Sequence, residues 1–194
     1  MLWPKADADH LIVSSSQMND IEEKLFSFGM PIEALMEKVG LEIVKWFFDH
    51  PKLLEKGVVV LVGPGHNGGD GLVVARELFL SNVNVSFWCP FPVKKSLTLK
   101  HLSYCNAIGI RQLESPPDSS SNALWIESIF GLGQTRAIPK ELELLFENRE
   151  KINPGKLISL DVPSGICSDT GKPFANVAAS ASYTLSVGLM KAGL

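Results

Sequence analysis

Three short clusters in this chain combine glycines with side chains that can hold a ligand or move a proton. The first is Gly63-Pro64-Gly65-His66-Asn67-Gly68-Gly69-Asp70-Gly71. It follows the apolar run Val58 to Val62 and precedes an amphipathic stretch, Leu72 to Leu80. A buried strand, a glycine-rich turn and a helix in that order aim free backbone N–H groups at the helix start, where phosphate binds. Recognition of a phosphate or pyrophosphate is therefore the first chemistry read from the residues. The second cluster, Asp161-Val162-Pro163-Ser164-Gly165, closes the short strand expected at Leu157 to Leu160. In open parallel sheets, ligands bind outside the carboxyl ends of the strands. Asp161 is accordingly the carboxylate best placed for acid/base work. An aspartate that merely caps its own turn would give the same local pattern. The third cluster, Glu127-Ser128-Ile129-Phe130-Gly131-Leu132-Gly133, again sets an acid near a strand end with glycines after it.

All three clusters are expected to meet on one edge of the sheet. Asn67, Glu127 and Ser164 would bring three oxygen donors there. One carboxylate with neutral oxygens suits a monovalent cation better than a tightly held divalent one. Gly63-x-Gly65-x-x-Gly68 also satisfies the dinucleotide fingerprint. The second strand, however, ends Phe87-Trp88-Cys89-Pro90, without the acid that a dehydrogenase uses to hold the ribose. That argues against hydride transfer. No Gly-Lys-Ser/Thr follows, so the turn is not a Walker A loop. A tight turn needing only glycine backbone angles would explain the glycines, but not His66, Asn67 and Asp70 among them. His10, His50 and His101 pair with no nucleophile, and Cys167 reads as loop filling.

The elements that must position these residues follow from periodicity and punctuation. Ser14 and Gln17 read as a capping box, with Met18, Ile21, Leu25 and Phe26 on one helical face. Gly29 breaks that helix and Pro31 suits the first turn of the next, whose apolar face is Leu35, Met36, Val39, Ile43, Val44 and Phe47. Strands are expected at 58–62, 83–88, 123–129, 157–160 and 183–187. Helices are expected at 95–108 and 139–150, and 115–122 is a loop by composition. Strands alternating with helices imply an α/β fold, a three-layer α/β/α domain with a doubly wound, mainly parallel, Rossmann-like sheet. The 194 residues read as a single domain, 1–194, without internal repeats. The end at Lys191-Ala192-Gly193-Leu194, without a closing helix, reads as a C-terminal truncation of something longer.

Composition narrows the partners. The net charge of -3, with no basic run, gives no reason to expect nucleic acid or an anionic membrane. The spacing of Cys89, Cys105 and Cys167 fits neither a zinc site nor a disulfide framework and implies reduced thiols in the cytoplasm. No apolar run reaches transmembrane length. Lys5, Asp7, Asp9 and His10 stand where a signal peptide needs its apolar segment.

Taken jointly, the motifs resemble the NAD(P)H-hydrate epimerase family, the YjeF N-terminal domain, over residues 14 to 194. The family's Gly-Pro-Gly-Asn-Asn-Gly-Gly-Asp-Gly corresponds to Gly63 to Gly71, with His66 for the first Asn. Its Asp-Ala-Ile-Phe-Gly corresponds to Glu127 to Gly131, its Asp-x-Pro-Ser-Gly to Asp161 to Gly165, and its Leu-Met-Glu-x-Ala-Gly to Leu35 to Gly40. Asp169-Thr170-Gly171 and Lys191-Ala192-Gly193 also match. The resemblance implies an isomerase that interconverts the R and S forms of hydrated NADH or NADPH, a damage product with a hydroxyl on C6 of the reduced nicotinamide ring. It implies substrate contacts from His66, Asn67, Gly68, Gly69 and Asp70, from Gly131, Leu132, Gly133, Gln134, Thr135, Arg136 and Ala137, and from Asp161. It further implies a potassium ion held by Asn67, Glu127 and Ser164, a homodimer, and fusion to or cooperation with an NAD(P)H-hydrate dehydratase. Glu127 is longer by a methylene than the family's Asp. The alternative is a non-catalytic binding or scaffold domain of the same fold, as in relatives attached to RNA-decapping proteins. Such a domain need not keep Asn67, Asp161 and Ser164 together, and all three are present.

Overall fold

All five residues of the strand Val58–Val62 are buried, with alternate side chains leaving on opposite faces. A strand that is apolar on both faces must be covered on both. In the computed structural model, which describes residues 12–194, it is. The elements run β1 (Ile12–Val13), α1 (Ser15–Ser27), α2 (Ile32–Asp49), β2 (Val58–Val62), α3 (His66–Leu80), β3 (Val85–Trp88) and α4 (Ser96–Ala107). They continue with β4 (Arg111–Leu113), β5 (Leu124–Ser128), α5 (Lys140–Ile152), β6 (Leu157–Leu160), β7 (Tyr183–Leu185) and β8 (Met190–Lys191). Six strands form one parallel sheet in the order β4-β3-β2-β5-β6-β7. On one face Val58, Val60 and Val62 pack with Phe47 of α2, Leu72 and Leu78 of α3 and Cys105 of α4. On the other, Val59, Leu61 and Trp125 pack with Leu142 and Phe146 of α5. The fold is thus the expected three-layer, doubly wound α/β arrangement. No helix among the described residues is long and apolar enough to cross a membrane. The N-terminal residues Lys5, Asp7, Asp9 and His10 lie outside the described residues.

Strand order creates the site. From β2 the chain winds outward through β3 and β4, then returns to β5 and winds the other way. The carboxyl ends of β2 and β5 therefore flank the point where the winding reverses, which leaves a crevice at that edge. The first cluster follows β2, the third spans the end of β5, and the second follows β6.

Local chemistry explains most boundaries. The Ser14 hydroxyl accepts from Gln17 N–H while the Gln17 side chain accepts from Ser14 N–H, the capping box expected for α1. Gly29, at φ +93°, ends the helix. The largest difference from expectation is α3. It begins at His66 rather than after the glycines, so the presumed turn is the first turn of the helix. These glycines have ordinary φ angles and serve packing instead. A Cβ on Gly63 would stand 1.8 Å from Ile129 O, and one on Gly71 would stand 2.0 Å from Ser128 Oγ. The absent side chains let α3 lie against the ends of β2 and β5, which outweighs glycine's poor helix propensity of about 1 kcal/mol per residue. Three short strands escape periodicity altogether. β4 is a three-residue edge strand with exposed polar members, and β1 and β8 are a parallel pair of two residues each.

These contacts give a paired prediction. Gly63→Ala should cost about 1–3 kcal/mol through overpacking against backbone. A Cβ on Gly65 meets no atom of the described residues within 4 Å. Gly65→Ala should therefore shift stability by less than about 0.5 kcal/mol. Urea midpoints of the two variants measure this, and equal shifts would contradict the packing role.

Candidate active site

Glu127 sits in the middle of the sheet, paired with Leu61 on one side and Ser159 on the other, and it is fully buried. A carboxylate there must find donors inside the protein. Oε1 accepts from Ile129 N–H at 2.7 Å and from the Ser164 hydroxyl at 2.5 Å. Oε2 accepts from the Ser159 hydroxyl at 3.0 Å and from Ser164 N–H at 3.1 Å. These four bonds tie the end of β5 to the loop after β6. Burial pushes the Glu127 carboxyl up, and hydrogen bonds from Ser164, Ile129 and Ser159 partly oppose it. Ser164 Oγ also accepts from Phe130 N–H at 3.1 Å. Asn67 donates from the opposite wall to Phe130 O at 2.8 Å and to Leu160 O at 3.2 Å. The three candidate cation ligands are thus joined through the backbone of Phe130.

Their fit to a monovalent cation rests on two observations. Asn67 Oδ1 is buried without a hydrogen-bond partner among the described residues. Among the described residues the charge of Glu127 is met only by neutral donors. A buried acceptor with nothing to accept and a buried anion with no counter-charge both favour a cation. The carboxylate's four acceptor sites are filled, so Glu127 supplies charge beside the site and must release a donor to ligate directly.

Asp161 holds the other end of the edge. It is buried and has φ +65°, in the left-handed region that Asp and Asn tolerate best among residues with side chains. Its N–H donates to Leu185 O at 2.8 Å. Oδ2 accepts from Leu132 N–H at 2.8 Å, and Oδ1 accepts from Lys191 Nζ at 2.5 Å. Lys191 is buried on β8 and also donates to Val187 O and the Ser186 hydroxyl, which uses all three of its N–H bonds. A Cβ on Gly131 would stand 2.6 Å from Asp161 Oδ2, so only glycine leaves the carboxylate room at that point.

Asp161 opens onto a cavity of about 380 Å³ that also receives Asn19, Glu22, His66, Asn67, Asp70 and Lys191. Among the described residues three carboxylates share it with one committed ammonium. Asp70 is pushed well above the usual carboxylate range, by burial first and then by Asp161 and Glu22. Glu22 is raised by burial and by Asp161, with Lys191 opposing. Burial, followed by the charge of Lys95, lowers His66.

The sequence-named residues divide by place. His66, Asn67, Asp70, Gly131, Leu132, Gly133, Gln134 and Asp161 line this cavity. Gly68 and Gly69 do not, since their Cβ positions face Gly63 O and the Met36 thioether. Glu127 and Ser164 lie beneath the wall. Thr135, Arg136 and Ala137 line an adjoining cavity of about 530 Å³. Gln134 borders both and links the loops, donating to Pro163 O at 3.0 Å and accepting from Gly165 N–H at 2.7 Å. Reading the residues gave no role to Lys191, Glu22 or Asn19. Lys191 reaches Asp161 only through the β1–β8 pair, and Glu22 and Asn19 belong to a helix whose only sequence signals are its cap and its apolar face.

Residues 32–193 match the family described as YjeF-related protein N-terminus. A protein of Gloeobacter violaceus named bifunctional NAD(P)H-hydrate repair enzyme Nnr is 39% identical over 187 residues, covering 94% of this chain and 36% of the relative. The chain therefore spans little more than a third of that relative. An Oenococcus oeni protein named NAD(P)H-hydrate epimerase is 26% identical over 188 residues, covering 95% of this chain and 88% of the relative. The crystal structure of yeast ynu0 shares the fold, with a TM-score of 0.82 and 24% identity, covering 94% of this chain and 82% of that one.

The acidic cavity predicts a pH dependence. Because the folded-state pKa of Asp70 is raised, its contribution to stability is full below about pH 4 and lost as pH rises through that folded value. Asp70→Asn should raise Tm by about 2–4 °C at pH 8, about 1 kcal/mol, and by much less at pH 4. Thermal melts at both pH values test this. A lowered Tm at pH 8, or an equal gain at both, would contradict the electrostatic account.

Proposed function

The chain belongs to the YjeF-related N-terminal family, and from that premise we propose that it is an NAD(P)H-hydrate epimerase, an isomerase exchanging the R and S forms of hydrated NADH and NADPH. The observation that carries the proposal is Asp161, fixed between Lys191 and Leu132 N–H at the mouth of the crevice beside Asn67 and Asp70. C6 of the hydrated ring bears both a hydroxyl and the ring nitrogen. In the ring-opening route, Asp161 accepts the hydroxyl proton as the C6–N bond breaks. The bonding pair passes to nitrogen, which takes up a proton, and C6 becomes a planar carbonyl carbon. Rotation and re-addition of nitrogen to the other face, with both protons returned, give the other epimer. Asp161 enters as an acceptor because both of its oxygens already accept hydrogen bonds. In the alternative route a proton is placed on the hydroxyl, water leaves, and it re-adds to the opposite face.

Substrate contacts are proposed for the cavity-facing residues of 66–70 and 131–137 and for Asp161. We place a potassium ion at Asn67 Oδ1, with Ser164 beside it and the charge of Glu127 behind it. When bound, the ion would supply positive charge that fixes the walls of the crevice. A cytoplasmic location is supported by the three free cysteines. A homodimer is supported by Phe28, 86% exposed, with Leu25 and Ile32 also exposed nearby. A dehydratase activity, fused or separate, is proposed as the partner reaction. The scaffold reading is less supported, because Asn67, Asp161 and Ser164 are all kept and all stand at one edge.

Asn tolerates the left-handed backbone of residue 161, so Asp161→Asn should fold. Epimer exchange, followed by chromatography of purified S and R forms, should fall by about two to four orders of magnitude. A folded variant with near-normal rate would remove Asp161 from the chemistry. For the ion, crystals soaked in a rubidium salt should give an anomalous peak within coordinating distance of Asn67 Oδ1. Its absence at high occupancy of the salt would leave Glu127 with a purely structural role.

A further inference from the structure

The cavity beside the acidic one has the opposite electrical character. Among the described residues its walls carry Lys94 and Arg136 and no acid. Both cations are exposed, and neither side chain makes a hydrogen bond or ion pair among the described residues. Phe91 and Phe130 form an aromatic wall, with ring centroids 6.0 Å apart and planes inclined by 28°. Ile138, which is buried, and Pro139 extend the apolar surface. The two cavities share Pro64, Phe130, Gly133 and Gln134, so one elongated ligand can occupy both. Lys94 is held at the junction by its N–H donating to Pro64 O at 3.1 Å.

We propose that this second cavity receives the phosphorylated adenosine end of the dinucleotide, with its base against Phe91 and Phe130 and its phosphate oxygens on Lys94 and Arg136. The inference rests on the dinucleotide substrate proposed above. The acidic lining of the first cavity offers phosphate no free cation, since Lys191 is committed to Asp161, while the free ammonium and guanidinium groups attract it to the second. The substrate is thereby oriented before any contact at the reacting ring: the uncharged hydrated ring enters the acidic side and the anionic end stays on the basic side. Aromatic faces next to cations suit a purine nucleotide, whose base stacks while its phosphates pair. The assignment moves phosphate recognition away from the start of α3, where the glycine motif alone had placed it.

Calorimetric titration of the purified chain with adenosine 2′,5′-bisphosphate, and separately with nicotinamide mononucleotide, tests the assignment. Lys94→Glu and Arg136→Glu are exposed changes that should not disturb folding. Each should weaken the bisphosphate by at least about ten-fold and leave the mononucleotide within about two-fold. Bisphosphate affinity that survives both reversals overturns the assignment, as does an equal loss for both probes. Epimer exchange by the wild-type chain is scored independently. Exchange with bisphosphate affinity indifferent to both reversals would sink only the second-cavity assignment. Bisphosphate binding with the expected losses but no exchange would sink the epimerase reading and keep the cavity.

Discussion

A fully buried carboxylate in the middle of a parallel sheet is the constraint on which the rest of this edge depends. Glu127 is fully buried, so its two oxygens take their donors from the protein: Ile129 N–H, the Ser159 hydroxyl, and the N–H and hydroxyl of Ser164. Removing any one would leave a buried charge short of a partner, at a cost of about 1–3 kcal/mol or more. The knot fixes where β5 ends and how the chain leaves β6. Phe130 is then held by Ser164 on its N–H and by Asn67 on its carbonyl, which brings α3 into the same network. A loop after β5, a loop after β6 and the first turn of α3 become one rigid wall.

That wall lets Asp161 keep a conformation it would not choose alone. A residue with a side chain in the left-handed region costs of order 1 kcal/mol or more. The cost is met by three anchors that come from different parts of the chain: Leu185 O, Leu132 N–H and Lys191. Asp161 is thereby turned into the crevice, where Gly131 leaves it room. Fixed placement of a proton-transfer group is what general acid/base catalysis needs, since proton transfer fails outside hydrogen-bond reach. The clustering of Glu22, Asp70 and Asp161 destabilises the folded chain at neutral pH. Such local strain and like-charge crowding are expected where function outweighs stability.

The architecture was legible because its signals are long or doubled. β2 stands where five consecutive apolar residues put it, and β6 where Leu157, Ile158 and Leu160 put it, with Ser159 among them. The capping box of α1 and the apolar face of α2 came from helical spacing. The site clusters were legible because each stands at a strand end, and strand order then brings them together. What periodicity does not carry was not read. β1 and β8 have two residues each and exist only through their mutual pairing, so Lys191 had no visible destination. The glycines of α3 suggest a turn locally, and only the neighbouring Ile129 and Ser128 show that they are places of close approach. Lys94 and Arg136 lie far apart in the chain, and nothing in their spacing relates them.

The account's central claim is geometric: the reacting ring of the dinucleotide lies in the acidic crevice against Asp161, with the adenosine end on the basic side. A crystal structure of the chain soaked with NADP measures it most directly. The account predicts the nicotinamide ring within hydrogen-bond reach of Asp161 at C6 and the adenine beside Phe91 and Phe130. A ligand bound the other way round, or outside the crevice between the ends of β2, β5 and β6, would contradict it.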